Sequence, residues 1–313
     1  MNLDLRPLTV GEVFDRAITL YKRNLWLFVG ITAIPAVFAL AMTIISQILQ
    51  RMMMTNVSTL ANDPDVATTT VVAMLGMVGG IFVFGVIYWI VYMIGLGATT
   101  FAVSELYVGR PASVRQSYSG MRGRIGALIV LMLLVGLRLF AVWLVGGIGL
   151  AIGAGVSALI HPVLSGLLVV AGLSVLFLGS FWMMLRYGMS VPSLVVEGVP
   201  PADALRRSIE LTRGRLGRVF LLVLCAVMVT YAAMLIFQAP FLVGAIVAGP
   251  ESAAGFWLNM VGAVTGTIGT TFTTPFLIIG LALLYYDARI REEGFDLELT
   301  LAALDARTVA ARV

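Results

Sequence analysis

An all-α, polytopic membrane protein is the fold class this sequence predicts: six transmembrane helices, set as three repeats of an interfacial amphipathic helix plus a transmembrane hairpin. Three observations predict it. The 313 residues are 60% hydrophobic and 12% charged, with a mean hydropathy of +1.03, whereas soluble domains run at about 45–50% apolar and about 25% charged. So few charges cannot cover a water-soluble globule, and so apolar a chain is not disordered. Six apolar blocks, 25–50, 71–104, 125–159, 163–191, 219–248 and 256–286, each exceed the roughly 20 residues a helix needs to cross the hydrocarbon. Lys and Arg gather in alternate connections, the pattern of cytoplasmic segments under the positive-inside rule.

The chain opens on an amphipathic segment. Val10, Val13, Phe14, Ala17, Ile18 and Tyr21 fall on one helical face, and Thr9 with Glu12 has capping-box spacing. Two apolar blocks follow. A second short segment, 113–125, stands behind Pro111 and precedes two more blocks, and a third, 204–216, stands behind Pro200 and Pro201 and precedes the last two. Proline is tolerated at such helix starts. Residues 13–25, 113–125 and 204–216 resemble one another, which makes the chain one membrane domain of three units, 9–104, 105–191 and 192–286, with a tail at 287–313. Each short helix is expected to lie in the interface, its apolar face on lipid tails and its arginines at headgroups. Blocks near 30 residues outrun the bilayer thickness, so tilt, kinks or emergent ends are expected. Pro35, Pro192, Pro240 and Pro275 mark kinks or termini. Gly76/Gly80, Gly149/Gly153 and Gly262/Gly266 have the small-xxx-small spacing that lets helices approach closely.

Orientation follows from the basic residues. They stand at Arg6, Arg16, Lys22 and Arg23; at Arg110, Arg115, Arg122 and Arg124; at Arg186, Arg206, Arg207, Arg213, Arg215 and Arg218; and at Arg289, Arg291, Arg307 and Arg312. The other three connections carry only Arg51, beside Asp63, Asp65 and Glu251. Both termini and the loops after the second and fourth spans are therefore expected on the cytoplasmic side of a bacterial inner membrane. The first span is expected to remain as an anchor, being too long for a signal h-region. The net charge of +4 belongs to topology and to anionic lipid headgroups, not to nucleic acid.

One cysteine, Cys225, and one histidine, His161, leave no disulfide framework and no His/Cys metal cluster to expect. Phosphate-loop, dinucleotide, zinc-protease and nucleophile-elbow motifs are absent. No catalytic site, metal or cofactor is expected. The polar residues to weigh are few. Arg138 lies 14 residues beyond Arg124, about 20 Å along a straight helix, which puts it in the outer half of the bilayer, either snorkelling outward or lining a cavity. The last span carries Thr265, Thr267, Thr270, Thr271, Thr273 and Thr274 before Pro275. Thr270 and Thr274 either line a polar path or bond back to the backbone and steady a proline kink. Arg186, Glu197 and Arg207 are expected to form a cytoplasmic ion network pinning the turn after the fourth span, or else to bind a ligand.

Three stretches carry a family resemblance. They are Leu5-Arg6-Pro7-Leu8-Thr9-Val10-Gly11-Glu12-Val13-Phe14-Asp15-Arg16-Ala17, then Arg186 to Gly198 with Ala204-Leu205-Arg206-Arg207-Ser208 and Leu211-Thr212-Arg213-Gly214, and finally Leu284-Tyr285-Tyr286-Asp287-Ala288-Arg289 running to Asp296. Together they resemble the bacterial glycerophosphoryl diester phosphodiesterase membrane domain family. In fused members the phosphodiesterase is a separate soluble barrel of about 250 residues, for which this chain has no room. The resemblance thus implies a stand-alone membrane domain with no catalytic residues carried over. The expected function is a non-enzymatic scaffold or subunit of a membrane complex, with membrane or cytoplasmic protein partners. The alternative is a small-molecule or lipid transporter or lipid-handling protein.

Overall fold

The computed structural model describes residues 9–60, 64–249 and 252–293. Arg6, Asp63, Glu251, Arg307 and Arg312 lie outside them. All regular structure among the described residues is helical. The helices are α1 Val10–Arg23, α2 Leu25–Leu60, α3 Pro64–Tyr107, α4 Val114–Ser119, α5 Ile125–Ala158, α6 Pro162–Arg186, the single turn α7 Ser190–Pro192, α8 Pro201–Leu211, α9 Leu216–Ala248 and α10 Ala253–Glu293. A π-helical turn, Ser193–Glu197, continues α7. Six of these, α2, α3, α5, α6, α9 and α10, are long and apolar enough to cross a membrane, as a multi-pass protein requires.

The helix starts follow from local chemistry. At α1 the capping box closes both ways: the Thr9 amide donates to Glu12 Oε2 at 2.7 Å, and the Glu12 amide to Thr9 Oγ1 at 3.3 Å. Ser113 Oγ caps α4 by accepting from the Gln116 amide at 3.2 Å. His161 performs the same task for α6, its Nδ1 accepting from the Val163 amide at 3.2 Å, with Pro162 in the first turn. The π-turn ends where Gly198 adopts φ 69°, a left-handed conformation that a side chain would strain.

The chain divides into two compact units. Among the described residues the first gathers 9–15, 122–222 and 280–293. Within it α5 and α6 run antiparallel: Gly146 faces Leu176, Gly153 faces Leu168, and the Ser165 hydroxyl donates to the Ala154 carbonyl at 2.9 Å. The second unit gathers Arg16–Met121 and Val223–Ile279. There α9 and α10 approach closely because Gly262 lies against Phe241 and Gly266 against Gln238. A Cβ at either glycine would come within 3.1 Å of its neighbour. Of the other two glycine pairs, Gly153 meets Leu168, while Gly76, Gly80 and Gly149 face open space.

The short helices differ from expectation. Val13, Ala17 and Leu20 of α1 are buried, as are Ala204, Leu205 and Leu211 of α8. These side chains pack inside the protein, whereas Ile18, on the same predicted face of α1, is exposed. Amphipathic periodicity specifies that one face is buried without specifying what covers it. Each buried leucine stabilises by about 1.5–3 kcal/mol relative to exposure in water. Arg138 also differs. The α5–α6 register sets it beside the last turn of α6, where its Nη1 donates to the Tyr187 hydroxyl at 3.1 Å.

Candidate functional site

Three prolines stand inside the helices of the second unit: Pro35 in α2, Pro240 in α9 and Pro275 in α10. Proline has no amide hydrogen to give the carbonyl four residues back, and its ring clashes with that same carbonyl. In hydrocarbon those carbonyls have no water to turn to. Here hydroxyls from other helices reach them. Tyr118 beyond α3 donates to the Ile31 carbonyl at 2.8 Å, four residues before Pro35. Thr32 donates to the Thr271 carbonyl at 3.0 Å and Tyr21 to the Phe272 carbonyl at 2.6 Å, four and three residues before Pro275. Thr265 donates to the Phe237 carbonyl at 2.6 Å, three residues before Pro240. The carbonyls freed by Pro35 and Pro275 therefore each have a hydroxyl donor on a separate element, and each bond ties two helices together. Burial pushes the Tyr118 phenol up to about 12, and burial also raises that of Tyr21.

A cavity of about 260 Å³ opens beside two of these prolines, between α2, α3 and α10. Its walls include Thr32, Pro35, Tyr88, Tyr92, Gly95, Thr267, Thr270, Thr271 and Thr274. Gly95 lets α2 and α3 approach closely, since a Cβ there would lie 3.1 Å from the Pro35 ring. Thr270 and Thr274 thus line a cavity, and they also bond back: Thr270 donates to the Thr267 carbonyl at 3.1 Å and Thr274 to the Thr270 carbonyl at 2.7 Å. No charged side chain lines this cavity, and Arg138 is not among its walls.

The first unit carries an ion network. Glu197, at the end of the π-turn, accepts from the Tyr285 hydroxyl at 2.7 Å and from Arg207 Nε at 3.2 Å, with Arg289 Nε at 3.8 Å. Asp287, 1% exposed, is held by Arg218 at 3.1 Å and Arg291 at 3.0 Å. Arg215 pairs with Glu292 at 3.0 Å. Arg124 Nη1 donates to the Val195 carbonyl inside the π-turn at 2.7 Å. Ser208 of α8 stitches the end of α6: its hydroxyl donates to the Arg186 carbonyl at 2.7 Å and accepts from the Met189 amide at 3.1 Å. Of the expected trio, Glu197 and Arg207 meet. The Arg186 guanidinium lies instead 4.6 Å over the Trp182 ring, and its buried Nε has no hydrogen-bond partner among the described residues. Tyr285 and Arg289 take the place assigned to Arg186. They come from a distant part of the sequence, and no local spacing pointed to them.

No family model, curated protein or solved structure matches the chain.

Proposed function

We propose that the chain is a non-enzymatic multi-pass protein of the bacterial cytoplasmic membrane, a scaffold or subunit of a membrane complex, related to the glycerophosphoryl diester phosphodiesterase membrane domain family. Its three repeats, 9–104, 105–191 and 192–286, each set a short helix before two spans, and both termini and all three short helices face the cytoplasm. The element order, one short helix then two long ones, repeated three times, supports this reading. The observation that carries it is the ion network of the first unit. Glu197 and Asp287 bind four arginines between them and fix the π-turn, α8 and the end of α10 against one another. Arg122 and Arg213 of the same unit are exposed, and exposed arginines suit anionic headgroups or an acidic partner. Purification in mild detergent tests it. Wild-type chain should carry a partner protein that Arg122→Glu with Arg213→Glu releases. A chain that runs alone in both forms overturns the reading.

A second reading, lipid or small-molecule handling, is favoured by the hydroxyl-lined cavity of the second unit. Substrate flux in liposomes, lost when Ala36→Phe fills the cavity, supports it; flux that ignores the substitution removes it.

A further inference from the structure

Two tyrosines in the cavity between α2, α3 and α10 are out of keeping with the rest of its wall. Every threonine hydroxyl there donates to a helix carbonyl: Thr267 to Ala263, Thr271 to Thr267, Thr274 to Thr270. These oxygens can therefore only accept from a ligand. Tyr88 and Tyr92, whose rings pair at 6.1 Å, have no hydrogen-bond partner among the described residues and line the same space. Their hydroxyls are donors in a region where an unpartnered donor is costly. The cavity thus has two tyrosines on one wall and a row of threonines on another, with no charged side chain in its lining. An ion would enter without a counter-charge, which a hydrocarbon environment penalises heavily. A ligand that suits the wall is neutral, with a carbonyl to accept and a hydroxyl to donate.

A second observation extends the ligand. On the same two helices α2 and α10, the wall becomes wholly apolar. A cavity of about 520 Å³ is lined there by Ile44, Ile48, Trp257, Met260 and Val264, among others. Ala39 of the first cavity and Ile44 of the second are five residues apart, and Thr267 and Val264 are three apart, roughly one helical turn. Water would satisfy the hydroxyls but not fill an apolar space of that size. An amphiphile does both.

We propose that this crevice binds an uncharged acylglycerol. Its ester carbonyl accepts from the Tyr88 and Tyr92 hydroxyls, its free hydroxyl donates to the threonine oxygens, and its acyl chain fills the apolar cavity one turn away. The site goes beyond the scaffold reading and does not depend on it. It supplies a ligand for the lipid-handling reading, and binding without flux would keep the site while removing transport.

The test uses the full chain in phospholipid nanodiscs containing a monoacylglycerol with a photoactivatable acyl chain. A parallel sample carries the same chain on phosphatidylglycerol. Cross-links mapped by mass spectrometry should fall on α2 and α10 around Ala39, Ile44 and Met260 with the acylglycerol, and unlabelled monoacylglycerol should compete them away. Tyr88→Phe with Tyr92→Phe keeps the ring pair and removes only the hydroxyls. It should lower labelling about eightfold, the product of about 2.8-fold for each hydroxyl. Equal labelling by the phospholipid probe overturns the proposal, as does labelling that competitor and substitutions leave unchanged. The competition on wild-type chain decides the matter even if the double variant folds poorly.

Discussion

Thr32→Val should destabilise the protein only while Pro275 is present. Valine keeps the shape and the β-branch of threonine and removes one hydroxyl. That hydroxyl donates to the Thr271 carbonyl at 3.0 Å, and also lies 3.0 Å from the Phe28 carbonyl of its own helix. Phe28 has the Thr32 amide in the regular helical position, whereas Thr271 has no amide at position 275. The bond to Thr271 is thus the one that matters. Interhelical hydrogen bonds in membrane proteins average about 0.6 kcal/mol and reach about 1.7, and an unpaired buried carbonyl costs about 1–3. With Thr32 only 5% exposed, Thr32→Val should cost about 1 kcal/mol. Pro275→Ala restores the missing amide to the Thr271 carbonyl. In that background the same substitution should cost under about 0.4 kcal/mol, for a coupling of at least about 0.6 between residues in different helices. The assay is reversible unfolding in mixed detergent micelles, followed by tryptophan fluorescence. Equal costs in both backgrounds would refute the pairing of a freed carbonyl with a borrowed hydroxyl.

Three more outcomes follow from the same geometry. Asp287→Asn leaves Arg218 and Arg291 facing a neutral amide in a buried site and should cost about 3–5 kcal/mol by the same unfolding measurement; a loss under about 1 would show the pairs to be solvated. Tyr285→Phe removes a donor to Glu197 but leaves Arg207 in place, so its loss should stay near 1–2 kcal/mol, about that of one charge-assisted hydrogen bond, and well below that of Asp287→Asn. Because burial sets the Tyr118 phenol at about 12, above the unfolded value of about 10, its contribution is complete below about pH 10 and is lost as pH rises through about 12. Tyrosinate absorbance should show a late-ionising fraction that Tyr118→Phe removes, and an unchanged titration would contradict the buried bond to Ile31.

Much of the fold was legible because hydrocarbon is an undemanding code. A run of apolar side chains longer than the bilayer is thick admits only a helix, and each block read from hydropathy falls on one of α2, α3, α5, α6, α9 and α10, the fourth running past the end of α6 into α7. Local caps were legible for the same kind of reason: Thr9 and Glu12 stand three residues apart, and their bond depends on nothing distant. Partners across the chain were not. Pro35 and Pro275 announce freed carbonyls, but nothing near them in sequence names Tyr118 or Thr32 as donors, since those contacts close loops of 87 and 239 residues. Glu197 was marked as a charge in need of a partner, and Arg207, ten residues away, was within local reach. Tyr285, 88 residues away, was not. Arg138 shows the remaining limit. Depth along one helix was readable, but the level of its neighbour's end depends on register, which side-chain packing between α5 and α6 sets.

The central claim is that the six apolar helices thread a membrane with their arginine-bearing short segments toward the cell interior. Single cysteines tested on intact cells address it directly, in a Cys225→Ser background. His161→Cys, in the turn between α5 and α6, should react with a membrane-impermeant thiol reagent. Arg213→Cys, between α8 and α9, should react only after the membrane is opened. Protection of position 161 together with labelling of position 213 in intact cells would contradict the topology.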